Sequence, residues 1–204
     1  MGKSKETRKL IIEKAAILFN QKGFYGTSMS DIMEATSLTK GGIYGNFKRD
    51  GGDKKGVKEE IAMAAFEYAV KFVGEQIRQR TSVVDSSIDK LKTIVYFYKE
   101  RILNPPLEGG CPIMNTAIEA DDNMPALRNK VVAAMDYWHY GISRTVEIGI
   151  EKGEIKPTID ISIFATRFIG TLEGGILLSR IHKNTDHFNA MAGQLLEMIE
   201  GIKI

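Results

Sequence analysis

Three stretches, TRKLIIEKAAILFNQKGFYGTS at 7–28, MSDIMEAT at 29–36 and LTKGGIYGNF at 38–47, decide how this chain is read. In the first, Ile11, Ala15 and Leu18 alternate with Ile12, Ala16 and Phe19 at the 3.6-residue period of a helix with one apolar face. Ser4 is the expected N-cap and Gly23 the expected stop, which predicts a helix over about 4–22. Thr27 and Ser28 precede a short helix over 29–35, with Asp31 in its first turn where a negative charge complements the helix dipole. Thr36, Ser37 and Leu38 form a tight turn, and Thr39 caps a third short helix through Phe47. A short helix, a three-residue turn and a second short helix make a helix-turn-helix, whose second helix is shaped to enter a major groove.

Beyond Phe47 the stretch KRDGGDKKG at 48–56 is polar, charged and Gly-rich, and reads as a mobile loop or linker. Helical periodicity returns over 57–79 through Ile61, Ala64, Ala65, Tyr68 and Phe72, and again over about 85–103 with Asp85 as N-cap. Pro105 and Pro106 lack amide donors and must break the chain, after which helix restarts at Pro112. A long helix is bracketed by Asn123 with Pro125 and by Lys152 with Gly153; two more are expected from Asp160 to about His182 and from Thr185 to about Ile199. No segment alternates as a strand does. The expected fold class is therefore all-α, a three-helix N-terminal helix-turn-helix domain followed by a larger helical bundle.

At 204 residues with 43% hydrophobic content the chain can fill such cores, and the formal net charge is only +2. The charge is uneven: residues 1–60 hold 12 Lys and Arg against 8 Asp and Glu, and the remainder 16 against 18. A mildly basic head suits a polyanion. The single Cys111 excludes an intrachain disulfide and most metal cages, and fits a reducing cytoplasm. No secretory core follows the charged start, and the apolar stretch 161–178 carries Arg167 and Glu173, so neither export nor a membrane span is expected.

The three opening stretches, in this order and spacing, resemble the tetracycline-repressor (TetR) family of transcriptional regulators. Thr7, Ile11, Ala15, Leu18, Phe19, Gly23, Phe24, Thr27, Ser28, Ile32, Gly41, Tyr44 and Phe47 fall where that pattern expects them. The resemblance is close over the first fifty residues and extends to the rest only as helical layout. It implies a DNA-binding domain at 1–56 and a ligand-binding and dimerisation domain at 57–204, in a cytoplasmic repressor released from a palindromic double-stranded operator by a small-molecule effector. It further implies that Thr27, Ser28, Lys40 and Tyr44 touch phosphate while residues around Thr39, Gly41 and Gly42 face base edges. The chemistry agrees, since hydroxyls, amides and an ammonium bond phosphate oxygens, and two adjacent glycines let backbone approach DNA closely. Tyr44 reads equally well as a core residue.

Three departures stand out. Ser37 occupies a turn position where the family often has Gly. Asn46 stands where His is frequent, and still carries a donor for phosphate. The loop before Lys58, Glu59, Glu60 and Ile61 is longer than usual, which leaves one phosphate contact to Lys48, Lys54, Lys55 or Lys58, with Lys58 favoured and Lys48 retained.

In the body, Ile163, Phe168, Ile169, Leu172, Ile176 and Leu177, with Leu195, Leu196 and Ile199 later, are the expected dimer stripe, with Gly170, Gly174 and Gly175 permitting close approach; the alternative is that the stripe packs inside its own subunit. Phe97, Met114 and Trp138 are aromatic or methionine residues of the kind that line adaptable ligand sites. The stretch from Cys111 through Asn115 to Glu119 resembles part of some relatives' ligand domains, which makes these three further candidates; Glu119 reads otherwise as a solvated helix residue. Cys111 is either a thiol activated at a helix N-terminus or a small buried hydrophobe.

No catalytic residues, metal or cofactor are expected. Asp136 and His139 stand at i and i+3, but a di-iron bundle needs two such pairs and two further carboxylates. No Ser-His-Asp arrangement stands out.

Overall fold

The computed structural model describes residues 2–47, 56–120 and 124–204; side chains are described from Ser4 onward. Nine helices account for most of them: α1 (Gly2–Gly26), α2 (Met29–Thr36), α3 (Lys40–Asn46), α4 (Gly56–Thr81), α5 (Ser87–Arg101), α6 (Pro112–Ala120), α7 (Pro125–Glu151), α8 (Ile161–His182) and α9 (Asp186–Ile202). The only strand-like pairing among the described residues is one isolated antiparallel bridge between Ile155 and Lys203.

Local chemistry sets several helix ends. Ser28 caps α2 in a reciprocal box with Asp31: the Asp31 amide donates to the Ser28 hydroxyl at 3.1 Å, and the Ser28 amide donates to the Asp31 carboxylate at 2.7 Å. Ser37 ends α2 in the left-handed region at φ 56°, with its amide donating to the Glu34 carbonyl at 3.2 Å. Asp160 accepts from the Ile163 amide at the start of α8, and Lys183 closes that helix at φ 53°.

Two expected caps are displaced. The cap of α5 is Ser86, whose hydroxyl accepts from the Asp89 amide at 3.3 Å, and Asp85 lies one residue outside it. Ser4 lies inside α1, because that helix begins earlier, and its hydroxyl donates to the Asn46 side-chain oxygen at 3.1 Å. Gly23 does interrupt α1: it takes φ 74° and ψ 173°, a region open to glycine alone, and helix resumes for the three residues beyond it.

The chain packs as two compact units, residues 1–72 with 107–131 and residues 73–106 with 132–204, so the division by packing falls within α4 and α7 rather than at residue 56. In the first unit α1 packs on α2, α3 and α6. Ile11, Ala15, Ile32, Ile43, Phe47 and Ile61 are all essentially unexposed there, so the head is organised around an aliphatic centre closed by the Phe47 ring. In the second unit α9 packs on α8 and α5, and one apolar cluster runs through Leu91, Val95, Ile142, Val146, Phe164, Phe168, Leu172 and Leu195.

Helix α8 has the length and apolar composition of a membrane span. Its apolar face, Phe164, Ala165, Phe168, Ile169, Leu172 and Ile176, is buried in that cluster, which accounts for the composition without a membrane.

Candidate nucleic-acid interface

The helix-turn-helix is α2, the Ser37–Thr39 turn and α3. Thr39 caps α3 by accepting from the Gly42 amide at 3.2 Å, and Thr39, Lys40 and Gly41 are exposed at the start of the second helix. A Cβ placed on Gly41 or Gly45 meets nothing within 4 Å, so no internal packing demands glycine at either position. Glycine in a helix costs about 1 kcal/mol relative to alanine. A seven-residue helix with three glycines is therefore weak by itself, and is held from outside by Thr39 at one end and by Arg8 at the other.

Arg8, in α1, donates to the Asn46 carbonyl at 2.7 Å and to the Glu60 carboxylate at 3.3 Å, with its guanidinium 4.0 Å from the Phe47 ring centroid. It ties the last turn of α3 to α1 and to the start of α4. Nothing in the sequence distinguished Arg8 from the other basic residues of the head, because its three partners lie 38, 39 and 52 positions away.

The structure sorts the residues expected at DNA into three sets. Ser28, Thr39, Lys40 and Gly41 are exposed, and Gly42 and Tyr44 half-buried, with the Lys40 ammonium 5.6 Å from the Tyr44 ring centroid. Ser28 caps α2, while Thr39, Lys40, Gly41, Gly42 and Tyr44 lie together along α3.

Thr27, Asn46 and Lys58 are occupied by the head itself. Thr27 is completely buried and donates its hydroxyl to the Gly23 carbonyl at 2.8 Å, so its side chain is a scaffold element and not a surface donor. Asn46 donates one of its two amide hydrogens to the Gly42 carbonyl at 2.8 Å and accepts from Ser4, which ties its side chain to the head. The Lys58 ammonium lies 4.2 Å from the Phe24 ring centroid; burial holds its pKa below the usual lysine value, against the opposing pull of the Glu119 and Asp31 charges. Lys48, with Lys54 and Lys55, lies outside the described residues.

The ligand candidates are divided between the two units. In the second, Phe97 is sealed in the core with the Arg101 and Arg80 guanidinium groups 4.8 and 5.5 Å from its ring centroid, and Trp138 is half-buried with its ring 6.5 Å from that of Tyr98. In the first, Cys111 and Met114 are half-buried at the start of α6, while Asn115 and Glu119 are committed to α1. Asn115 donates to the Asn20 carbonyl at 3.0 Å and to the Gly109 carbonyl at 2.8 Å, and Glu119 accepts from the Phe24 amide at 2.5 Å. A cavity of about 20 Å³ lies beside Glu119, among Phe19, Ala62, Phe66 and Thr116, which is room for about one water.

Most of the expected dimer stripe is interior, while Ile163 and Leu177 of it are exposed. Phe168, Leu172, Leu195 and Ile199 have no exposed surface, Ile176 is 4% exposed, and Gly175 sits 3.0 Å from Met191 and Phe188 at its would-be Cβ. These six residues join α8 to α9 inside one subunit. The exposed side of α8 carries Ile163, Arg167, Gly170, Leu177, Leu178 and Ile181 instead, with half-exposed Gly174 among them, and a Cβ on Gly170 or Gly174 meets nothing. Asp136 and His139 make no metal site with a third ligand among the described residues, and the His139 Nε2 lies 3.2 Å from the Ser162 carbonyl.

A capped pair of short helices meeting at a left-handed turn, with Gly41 and Gly42 following an exposed Lys40 at the start of the second helix, defines a helix-turn-helix DNA-binding regulator. Residues 11–49 match the model of bacterial regulatory proteins of the tetR family and residues 87–195 that of the tetracyclin repressor-like C-terminal domain; the chain belongs to the tetR family of transcriptional regulators. The crystal structure of a TetR transcriptional regulator from Chloroflexus aurantiacus J-10-FL is 38% identical, with all of this chain and 98% of that one covered at a TM-score of 0.91. A TetR-family regulator from Cytophaga hutchinsonii is 35% identical over the same shares, at a TM-score of 0.87. An uncharacterized HTH-type transcriptional regulator of Mycobacterium tuberculosis H37Rv is 23% identical, with 94% of this chain and 93% of that one covered.

Proposed function

We propose that this regulator is a cytoplasmic homodimeric repressor that leaves a palindromic operator when a small molecule binds it. The observation that carries the operator reading is the glycine-rich make-up of α3. Gly41 and Gly45 weaken that helix without serving any contact inside the chain, and they leave backbone accessible beside Lys40, Thr39 and Ser28. That combination suits a helix pressed into a groove, with hydroxyls and an ammonium for phosphate and little bulk against base edges. We assign the DNA contacts to Ser28, Thr39, Lys40, Gly41, Gly42 and Tyr44.

The dimer is proposed on the outer face of α8. Ile163, Leu177, Leu178 and Ile181 are exposed there, and Gly170 and Gly174 leave open space for a second copy of the helix. Two copies double the base pairs read and require half-sites about 34 Å apart or a multiple of that. The effector reading is supported by family membership and by Tyr98, Met135 and Trp138, which pack against the second unit's core while staying partly exposed.

Sequencing of random duplex fragments retained by the purified protein tests the operator and dimer readings together. A two-fold symmetric consensus is expected; an asymmetric site would refute the dimer, and no enrichment at all would refute sequence-specific reading. Binding must also weaken steeply with salt, since each phosphate neutralised contributes about −0.9 to the log-log slope. The effector reading is tested by reciprocity, because a ligand that releases operator must bind less tightly by the same factor when operator is present.

A further inference from the structure

Helix α1 is broken at Gly23, and α6 supplies partners for two backbone groups at the break. In a continuous helix the Phe24 amide donates to the Asn20 carbonyl. At Gly23 the ψ of 173° turns the Gly23–Phe24 peptide out of the helical orientation, and the two groups part. The Phe24 amide donates instead to the Glu119 carboxylate at 2.5 Å, and the Asn20 carbonyl accepts instead from the Asn115 side-chain amide at 3.0 Å. Asn115 and Glu119 are four residues apart on α6, hence on one face of it.

The surroundings fix this arrangement further. Asn20 returns the contact, donating to the Glu108 and Gly110 carbonyls at 2.8 and 3.1 Å. The Glu119 carboxylate occupies the space a Cβ on Gly23 would need. Immediately beyond the break come buried Thr27, bonded to the Gly23 carbonyl, and Ser28, the cap of α2. The direction in which the chain leaves Gly23 therefore sets where the helix-turn-helix begins.

We infer that Asn115 and Glu119 are positioning residues for operator reading, holding the corner between α1 and α2 by partnering two backbone groups at the break in α1. They touch no DNA. Their effect falls on sequence-specific binding, which needs α2 and α3 correctly aimed, and spares the non-specific attraction of a basic head for duplex. This inference rests on the DNA-binding activity of the family and is independent of any effector.

The test compares Glu119→Ala, Glu119→Asp, Glu119→Gln and Asn115→Ala in the full-length protein. Affinity is measured by fluorescence anisotropy on the duplex selected by the wild-type protein and on a scrambled duplex of equal length, with helix content checked at the assay temperature. Glu119→Ala, Glu119→Asp and Asn115→Ala should each lower the ratio of specific to scrambled affinity at least tenfold while leaving the scrambled affinity unchanged. Glu119→Gln keeps a carbonyl oxygen in reach of the Phe24 amide and should stay within about threefold of wild type.

An unchanged ratio in the Ala and Asp variants overturns the inference. So does a parallel loss on both duplexes that tracks lost helix, which is the mark of a merely structural residue. If Glu119→Ala does not fold, the contrast between the Asp and Gln variants decides, and equal behaviour of those two overturns it. A wild-type protein that selects no sequence overturns the DNA-reading assignment of the head, and this inference with it.

Discussion

Thr27 donates its hydroxyl to the carbonyl of Gly23 at 2.8 Å, which joins the residue where α1 breaks to the residue before the cap of α2. Thr27→Val keeps the shape and removes the donor. Losing a partly buried hydrogen bond of this kind costs about 0.5–1.5 kcal/mol. The urea midpoint of unfolding should fall accordingly, while the molecules that remain folded bind operator as wild type does. A large loss of affinity without a loss of stability would return Thr27 to the DNA surface.

Gly41→Ala should separate stability from function. Its new methyl group meets nothing in the chain, so α3 should gain up to about 1 kcal/mol and the melting temperature should rise. On the proposed interface the same methyl group would meet a base edge, and operator affinity should fall by tenfold or more. A variant that is more stable and binds equally well would remove Gly41 from the interface.

Acid should loosen the head through Asp31. The Lys22 ammonium 2.7 Å away, followed by the Ser28 hydroxyl and amide, holds the Asp31 carboxyl well below the usual carboxylate range. The folded state thus favours the charged form. Its contribution is complete above the unfolded carboxylate pKa of about 4 and is lost as pH falls from there toward the lowered folded value. The difference in urea midpoint between the wild type and Asp31→Asn should therefore shrink between pH 6 and pH 3; a constant difference would count against this assignment.

On α8 the two faces should respond in opposite ways. Leu177→Arg places a charge on the exposed side, 41% open, and should yield a folded monomer by sedimentation. Leu172→Ala hollows the fully buried side and should cost about 2–5 kcal/mol of unfolding free energy. If Leu177→Arg sediments as the wild type does, subunits meet elsewhere.

The helices were legible because apolar periodicity and caps are local properties. Ser28 with Asp31, Thr39, and Pro125 at the head of α7 each sit where their chemistry demands, and Ser37 takes the left-handed conformation its turn position required. What periodicity leaves open is which of two apolar faces meets a partner. The stripe through Phe168 and Leu172 has the apolar spacing of a subunit interface, and it is the seam between α8 and α9.

Polar partners far apart in sequence were the other blind spot. Asn115 and Glu119 looked like ligand groups because nothing in α6 reveals that Asn20 and Phe24, 95 residues earlier, have lost each other's hydrogen bond. Arg8 was passed over for the same reason. Thr27 and Ser28 are neighbours of similar chemistry, yet one is buried and one exposed, a distinction set by the break at Gly23 rather than by either residue type.

That break also imposes an order on how the protein can change over generations. Gly23 is constrained twice, by a backbone conformation that only glycine adopts without strain and by the carboxylate filling the room a side chain would take. Glu119 is constrained once, through its hydrogen bond to Phe24. Of the two obstacles the backbone one is the heavier, since the Glu119 carboxylate is the far end of a flexible side chain; Gly23 should therefore be retained even in descendants where Glu119 has changed.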